Sequence, residues 1–168
     1  MPCLRPLTDE DRAVIRRWPS YPDDMAQMDY AVRENGWLDE FRSRPDACIY
    51  AVYEGTELIG FTLLARTGAD EAEVRIAIRP DRTGRGLGGD IMGQTLRTGF
   101  QTLGLSRIHL IVRTNNLRGI RLYRRLGFVE QGAVRKAIQG VMVEFIRMGL
   151  DRADFGQPGE TGIKEKTI

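Results

Sequence analysis

The sequence predicts a single α+β domain built on a mixed, mostly antiparallel sheet. Three observations carry this. Between positions 48 and 78 three strand-like runs are joined by short turns, the pattern of an antiparallel meander. The third run connects through a helical stretch to another strand-like run, which implies one parallel pairing. And 168 residues, 42% hydrophobic and 29% charged, suit one folded core rather than a disordered chain.

Residues 3–7 read as a strand. Thr8 and Asp11 resemble a capping box, with Asp in place of Glu or Gln, and open a helix to about Trp18. Pro19 and Pro22 stop it. A second helical stretch is expected over 23–43, interrupted near Gly36 and ended by Pro45. Strands 48–53 and 58–65 form a hairpin turned at 54–57, and a third strand covers 71–78. Pro80 and a glycine-rich turn follow. Residues 88–102 then read as helix, 107–112 as strand and 116–126 as helix, with Gly127 as its C-cap. Strands 128–137 and 141–150 form a last hairpin, turned near Gln139-Gly140. Residues 1–150 are thus expected to be the domain and 151–168 a polar tail. The count is about seven strands and about four helices.

The same residues exclude several classes of function. The longest apolar run, 108–112, is broken by His109, so no membrane span is expected. Asp9, Glu10 and Asp11 follow the first residues where a signal peptide would be apolar, which makes the cytoplasm the expected location. Cys3 and Cys48 form no disulfide framework, and one histidine gives no zinc set, so no metal is expected. A Ser-His or Cys-His mechanism would have to use His109, which reads as a structural mid-strand residue.

The net charge is only +2, but positions 21–46 carry a net −4 and positions 75–136 a net +10. The basic half holds only Phe100, Tyr123 and Phe128 as aromatics, which argues against a nucleic-acid partner. The acidic half interleaves its carboxylates with Tyr21, Tyr30, Trp37 and Phe41. An acidic, aromatic wall would favour a cationic amine, while an ordinary amphipathic helix with solvated carboxylates is the plainer reading.

The most informative segment is Thr83-Gly84-Arg85-Gly86-Leu87-Gly88-Gly89, a turn that follows a strand and opens a helix. Glycines admit positive φ and close approach of a ligand. The free N–H groups of a first helical turn attract anions, most naturally a phosphate or diphosphate. Arg82 and Arg85 add charge. A glycine turn with no ligand is the alternative. Gly84, Gly86 and Gly89 also match G-x-G-x-x-G literally, so a dinucleotide-binding protein is a second alternative. Against it, residues 80–83 separate turn from strand, and 104–116 lack the acidic ribose partner.

Asn116, seven residues before Tyr123, and the following Leu126-Gly127-Phe128 complete the pattern. With these two motifs the chain resembles the GCN5-related N-acetyltransferase (GNAT) superfamily over about 48–150, nearest to its spermidine and ribosomal-protein branches. Thr83 stands where that family writes Gln or Arg.

The resemblance implies acetyl-CoA as co-substrate, its diphosphate on Gly84, Arg85, Gly86, Leu87, Gly88 and Gly89. It implies strands that splay, so that main-chain groups of Ile76, Ala77 and Ile78 bind pantetheine and polarise the thioester. It implies Tyr123 as the acid that protonates the thiolate, and Asn116 as a pantetheine contact or support. Periodicity alone makes Tyr123 a core residue beside Ile120. Glu73 is the candidate base, with Glu71 as runner-up on the same strand face and a solvated carboxylate as the plain reading of either. Position 111, where one ribosomal-protein type carries Glu, is Ile here. Residues 1–46 would supply the acceptor side and 48–150 the coenzyme core. The partner is then a primary amine of a small molecule or peptide. A homodimer is open to this fold, as is a non-catalytic acyl-CoA sensor.

Overall fold

A computed structural model describes residues 1–156. Seven strands form one sheet in the order β1-β2-β3-β4-β5-β7-β6. They are β1 (Cys3–Pro6), β2 (Ala47–Glu54), β3 (Glu57–Arg66), β4 (Glu71–Ile78), β5 (Arg107–Arg113), β6 (Val129–Ile138) and β7 (Val141–Asp151). Only the β4–β5 pairing is parallel. The expected mixed α+β sheet is therefore present. Five α-helical segments accompany it: α1 (Asp9–Arg16), α2 (Asp29–Val32), α3 (Trp37–Glu40), α4 (Leu87–Arg97) and α5 (Leu117–Arg125).

The two sheet faces bury different clusters, because side chains alternate along each strand. One face of β4 and β5 gives Ala72, Val74, Ile108, Leu110 and Val112 to a core shared with Met92, Leu96 and Phe100 of the α4 region and Ile120 of α5. The other face packs Ala51, Phe61 and Ala77 against Ile15, Trp18, Val32 and Leu38. Strand β3 is buried along nearly its whole length, since both layers cover it.

Helix α1 starts as the capping box requires. Thr8 Oγ1 accepts from Asp11 N at 3.1 Å, and Asp11 Oδ2 accepts from Thr8 N at 2.9 Å. The helical stretch expected over 23–43 is different. It is a 3-10 turn (Asp23–Met28) followed by α2 and α3, each a single turn. The reason is tertiary. Arg33 Nη1 donates to the carbonyls of Arg16 and Trp18, and Asn35 adopts φ 62°. At Gly36 the chain folds so closely on itself that a Cβ would lie 2.0 Å from the Tyr30 carbonyl oxygen. The helix expected over 88–102 begins at Leu87 and passes into a π turn (Thr98–Thr102).

The expected tail begins as ordered chain. Asp151 still belongs to β7, a 3-10 turn spans Arg152–Asp154, and the Phe155 ring lies 5.3 Å from that of Phe100. The rest of the predicted tail lies outside the described residues. Among the described residues no helix is long and apolar enough to cross a membrane.

Gly99 sits where the π turn meets the sheet, and a Cβ there would lie 2.7 Å from Ile108 Cδ1 and 3.3 Å from Leu64 Cδ1. Gly99→Val therefore overpacks the core and should cost about 1–3 kcal/mol. Urea denaturation measures this; an unchanged midpoint would show that the contact is slack.

Candidate functional site

Strands β4 and β5 pair over only three residues, Glu71–Glu73 against Arg107–His109. Beyond that point they diverge, and a cavity of about 740 Å³ opens between them. Its wall includes Val74, Ile76 and Ile78 from one strand and Leu110 to Arg113 from the other.

The direction of each main-chain group follows from the antiparallel register with β3. Arg79 N donates to Ile59 O at 2.8 Å and Thr67 N to Glu71 O at 3.0 Å, so odd-numbered residues turn their main chain toward β3. Ile76 and Ile78 turn theirs toward the gap. The Ile78 carbonyl accepts from Tyr21 Oη. No residue of β5 is in register with Ile76, whose N–H and C=O face the cavity. Ala77 is a correction to the sequence reading. Its main chain serves β3, and its side chain is buried in the opposite core.

At one end of the cavity lies the glycine turn. Gly84 and Gly86 have φ 75° and 76°, the left-handed region that favours glycine. Gly86 is the N-cap of α4 and offers no side-chain acceptor, so the first N–H groups of the helix remain available. A Cβ on Gly86 would meet nothing within 4 Å, and this residue, Leu87, Gly88 and Gly89 line the cavity. Gly88 has a second reason to be glycine: a Cβ there would lie 3.0 Å from Leu122 Cδ2 of α5.

The charges around the turn differ from the sequence reading. Arg82 is committed to Glu54 and Glu57, and Arg85 is exposed and outside the cavity wall. The guanidinium that approaches the turn is Arg118, whose Nη1 lies 3.5 Å from the position of a Gly84 Cβ. Thr83 lines the cavity, and its Oγ1 donates to Pro80 O, which braces the turn.

Tyr123 lines the same cavity from α5, with its ring 5.9 Å from Phe128 in an edge-on contact. Burial pushes its phenol up to about 12. Asn116 caps α5, its Oδ1 accepting from Gly119 N at 3.0 Å. Its supporting role is therefore to start the helix that carries Tyr123.

Glu73 lines the cavity from the opposite sheet face, with Oε2 bonded to Arg75 Nε at 2.5 Å. Arg75 is held between Trp37 and Phe41, its Cζ 5.3 and 4.7 Å from the ring centroids, and also reaches Glu40. Glu71 lies outside the cavity wall, near Arg107. His109 is buried against Thr67 Oγ1, and desolvation together with Arg147 lowers its pKa.

The Acetyltransferase (GNAT) family profile matches residues 12–128. The chain belongs to this family. The spermidine N(1)-acetyltransferase of Escherichia coli (strain K12) is 33% identical over 99 residues, 55% of this chain and 53% of that protein. The mycothiol acetyltransferase of Actinosynnema mirum is 31% identical over 133 residues, 74% of this chain and 42% of that protein. The chain spans about half the length, or less, of these curated relatives. Among solved structures, the spermidine/spermine N-acetyltransferase SpeG of Vibrio cholerae in complex with manganese ions superposes with a TM-score of 0.71. It is 22% identical, and the match covers 90% of this chain and 93% of that one. The dinucleotide alternative therefore falls, and the three antiparallel strands before the glycine turn agree with that. Among the described residues no three His, Cys, Asp or Glu side chains gather as a metal site.

Within this GNAT site the acidic wall, the alternative to an ordinary amphipathic helix with solvated carboxylates, does not form. The carboxylates of 21–46 are spent on arginines: Asp39 on Arg16, Asp29 on Arg33, Glu40 on Arg75 and Asp46 on Arg44. Of the seven acids in that segment, Asp24 alone lines the main cavity. Tyr21, Tyr30 and Trp37 do reach it. The sequence reading missed the cations there, Arg113, Arg118, Arg121, Arg125 and Lys136. Arg118, Arg121 and Arg125 recur at helical spacing on α5, a signal that was present. Arg113 and Lys136 meet only through the β5-β7-β6 pairing.

A phenol whose folded-state pKa is raised by burial stabilises the protein fully below its unfolded value near 10. That contribution is lost as pH rises through the window from 10 to about 12. Denaturant titrations between pH 9 and 12 should therefore show a shallower alkaline loss for Tyr123→Phe than for the parent chain. Tyr50, raised to about 12 by burial and Cys48, keeps part of the slope, as do Tyr21, raised by burial, and Tyr53, raised by its bond to Asp11. Parallel pH profiles would mean the Tyr123 phenol is not buried in solution.

Proposed function

We propose that the chain transfers an acetyl group from acetyl-coenzyme A to a primary amine by direct attack. The observation that carries this reading is the unpaired edge of β4, running from the glycine turn to the level of Tyr123. Residues 48–150 act as the coenzyme core and residues 1–46 as the acceptor side.

The chain's own groups fit the co-substrate. The free N–H groups from Gly86 to Gly89, with Arg118 above Gly84, suit a diphosphate. The open space beside Gly86 is what close approach of a phosphate needs. The N–H and C=O of Ile76 suit the amides and acyl carbonyl of a pantetheine arm. When bound, acetyl-coenzyme A supplies an activated acyl group as its thioester.

Tyr123 acts on the leaving sulfur. With its phenol near 12, it is protonated at neutral pH. Full proton transfer to a thiolate of pKa about 8.5 runs uphill by roughly 3.5 units, or about 4.8 kcal/mol. Tyr123 therefore acts first as a hydrogen-bond donor that stabilises charge on sulfur as it grows, and it gives up its proton only as the amine's proton becomes available. A lysine-like amine needs about 4.6 kcal/mol for deprotonation at pH 7. Glu73 collects that proton through the carboxylate oxygen that Arg75 leaves unbonded.

Thiol release on mixing acetyl-CoA with an amine panel tests the activity. Tyr123→Phe should lower kcat by about a hundredfold, in the range of an acid–base contribution, with coenzyme affinity held. An undiminished kcat when chemistry limits the rate would remove Tyr123 from this role. Gly86→Val puts a branched side chain into the cradle at φ 76° and should weaken acetyl-CoA binding by about tenfold or more. Calorimetry reads this directly, and equal affinities would detach Gly86 from the site.

A further inference from the structure

The geometry points to an acceptor that carries a carboxylate as well as its amine, with Arg113 and Lys136 holding the carboxylate. This rests on the acetyltransfer reading and narrows its substrate class.

Arg113 pairs with Phe145, which pairs with Val134, and Lys136 pairs with Val143. Paired and alternate residues share a face, so Arg113, Phe145 and Lys136 all project from one side of the sheet. Glu73 lies on that same side, since it is in register with His109, four residues before Arg113. The glycine turn and α5 belong to the other side, where α4 and α5 cover Val74, Leu110 and Val112. A diphosphate held at Gly86 is thus across the sheet from Arg113 and Lys136. The two cations belong to the acceptor compartment.

The carboxylates near them are engaged elsewhere: Asp29, which shares a second pocket with Arg113, is held by Arg33 and by the Tyr21 N–H. Neither Arg113 nor Lys136 has an ion-pair partner among the described residues. Both are half-buried. The Arg113 guanidinium lies over the Phe145 ring at 5.9 Å, which fixes its direction without neutralising it. Glu73 is bonded to Arg75, and Asp24 is exposed. Two strand spacings, about 10 Å, separate the rows that carry the cations, so one carboxylate can lie between their flexible side chains. Charge-assisted bonds there would satisfy both. A polyamine would instead bring further positive charge against them, with Asp24 and the already paired Glu73 to receive it. Met28, Tyr30, Trp37 and Ile138 complete an apolar wall. The acceptor class is therefore a small amphipathic amino carboxylate with an apolar body.

The test compares α-, γ- and ω-amino carboxylates with their own carboxamides, and with spermidine, by thiol release from acetyl-CoA. The parent chain should favour carboxylate over carboxamide by about tenfold or more in kcat/KM for at least one spacing. In Arg113→Gln/Lys136→Gln that preference should shrink to within about twofold, while calorimetric affinity for acetyl-CoA stays at the parent value. Arg113→Glu should move the preference toward spermidine. Spermidine as the best acceptor of the parent chain, or a carboxylate preference that survives the double substitution, overturns the proposal and leaves acetyl transfer standing. Binding of acetyl-CoA with no thiol release from any amine overturns acetyl transfer itself, and this proposal with it.

Discussion

The structure depends on where two strands stop pairing. β4 and β5 are bonded side by side for three residues and then part. In a closed sheet the main-chain groups of Ile76 would be consumed by a neighbour, as buried peptide groups nearly always are. Here the gap leaves them for a ligand, and it also makes the passage through the sheet. Everything else is arranged around that opening: the glycine turn at one end, α5 along one side, and the short helices α2 and α3 on the opposite face. The cavity at the point of divergence is lined from both faces of the sheet. Under the proposed acetyl transfer, co-substrate and acceptor would meet there from opposite faces without sharing a binding surface.

Much of this was legible in the sequence, and the reasons are local. Thr8 and Asp11 announce a helix start because the capping box closes within four residues. The meander is readable because its turns are short. Gly84 and Gly86 are readable because positive φ is a demand of the backbone itself. The spacing of Asn116 and Tyr123 survives because both belong to one helix, Asn116 capping the segment that carries the phenol.

The parts that could not be read depend on partners far away in the chain. A count of carboxylates in 21–46 says nothing of Arg16 and Arg75, which neutralise Asp39 and Glu40 from 23 and 35 positions away. Helical periodicity in the same segment loses to Arg33, which ties the chain back to the end of α1. Ala77 illustrates a different limit. Alternation predicts its side-chain face, but which edge its peptide groups point to depends on the register with β3. For Gly88 the sequence shows the demand of the turn but not the second constraint, a helix packed against it from another part of the sequence.

That last contact has a mechanical meaning. Leu122 touches Gly88 in the first turn of α4, and the next residue along is Tyr123. The start of one helix is thus keyed to the middle of the other with one side chain between them. The α4 terminus and the ground on which the phenol stands share a single leucine. Whatever displaces one end of that contact must displace the other, because closely packed groups leave no slack to absorb it.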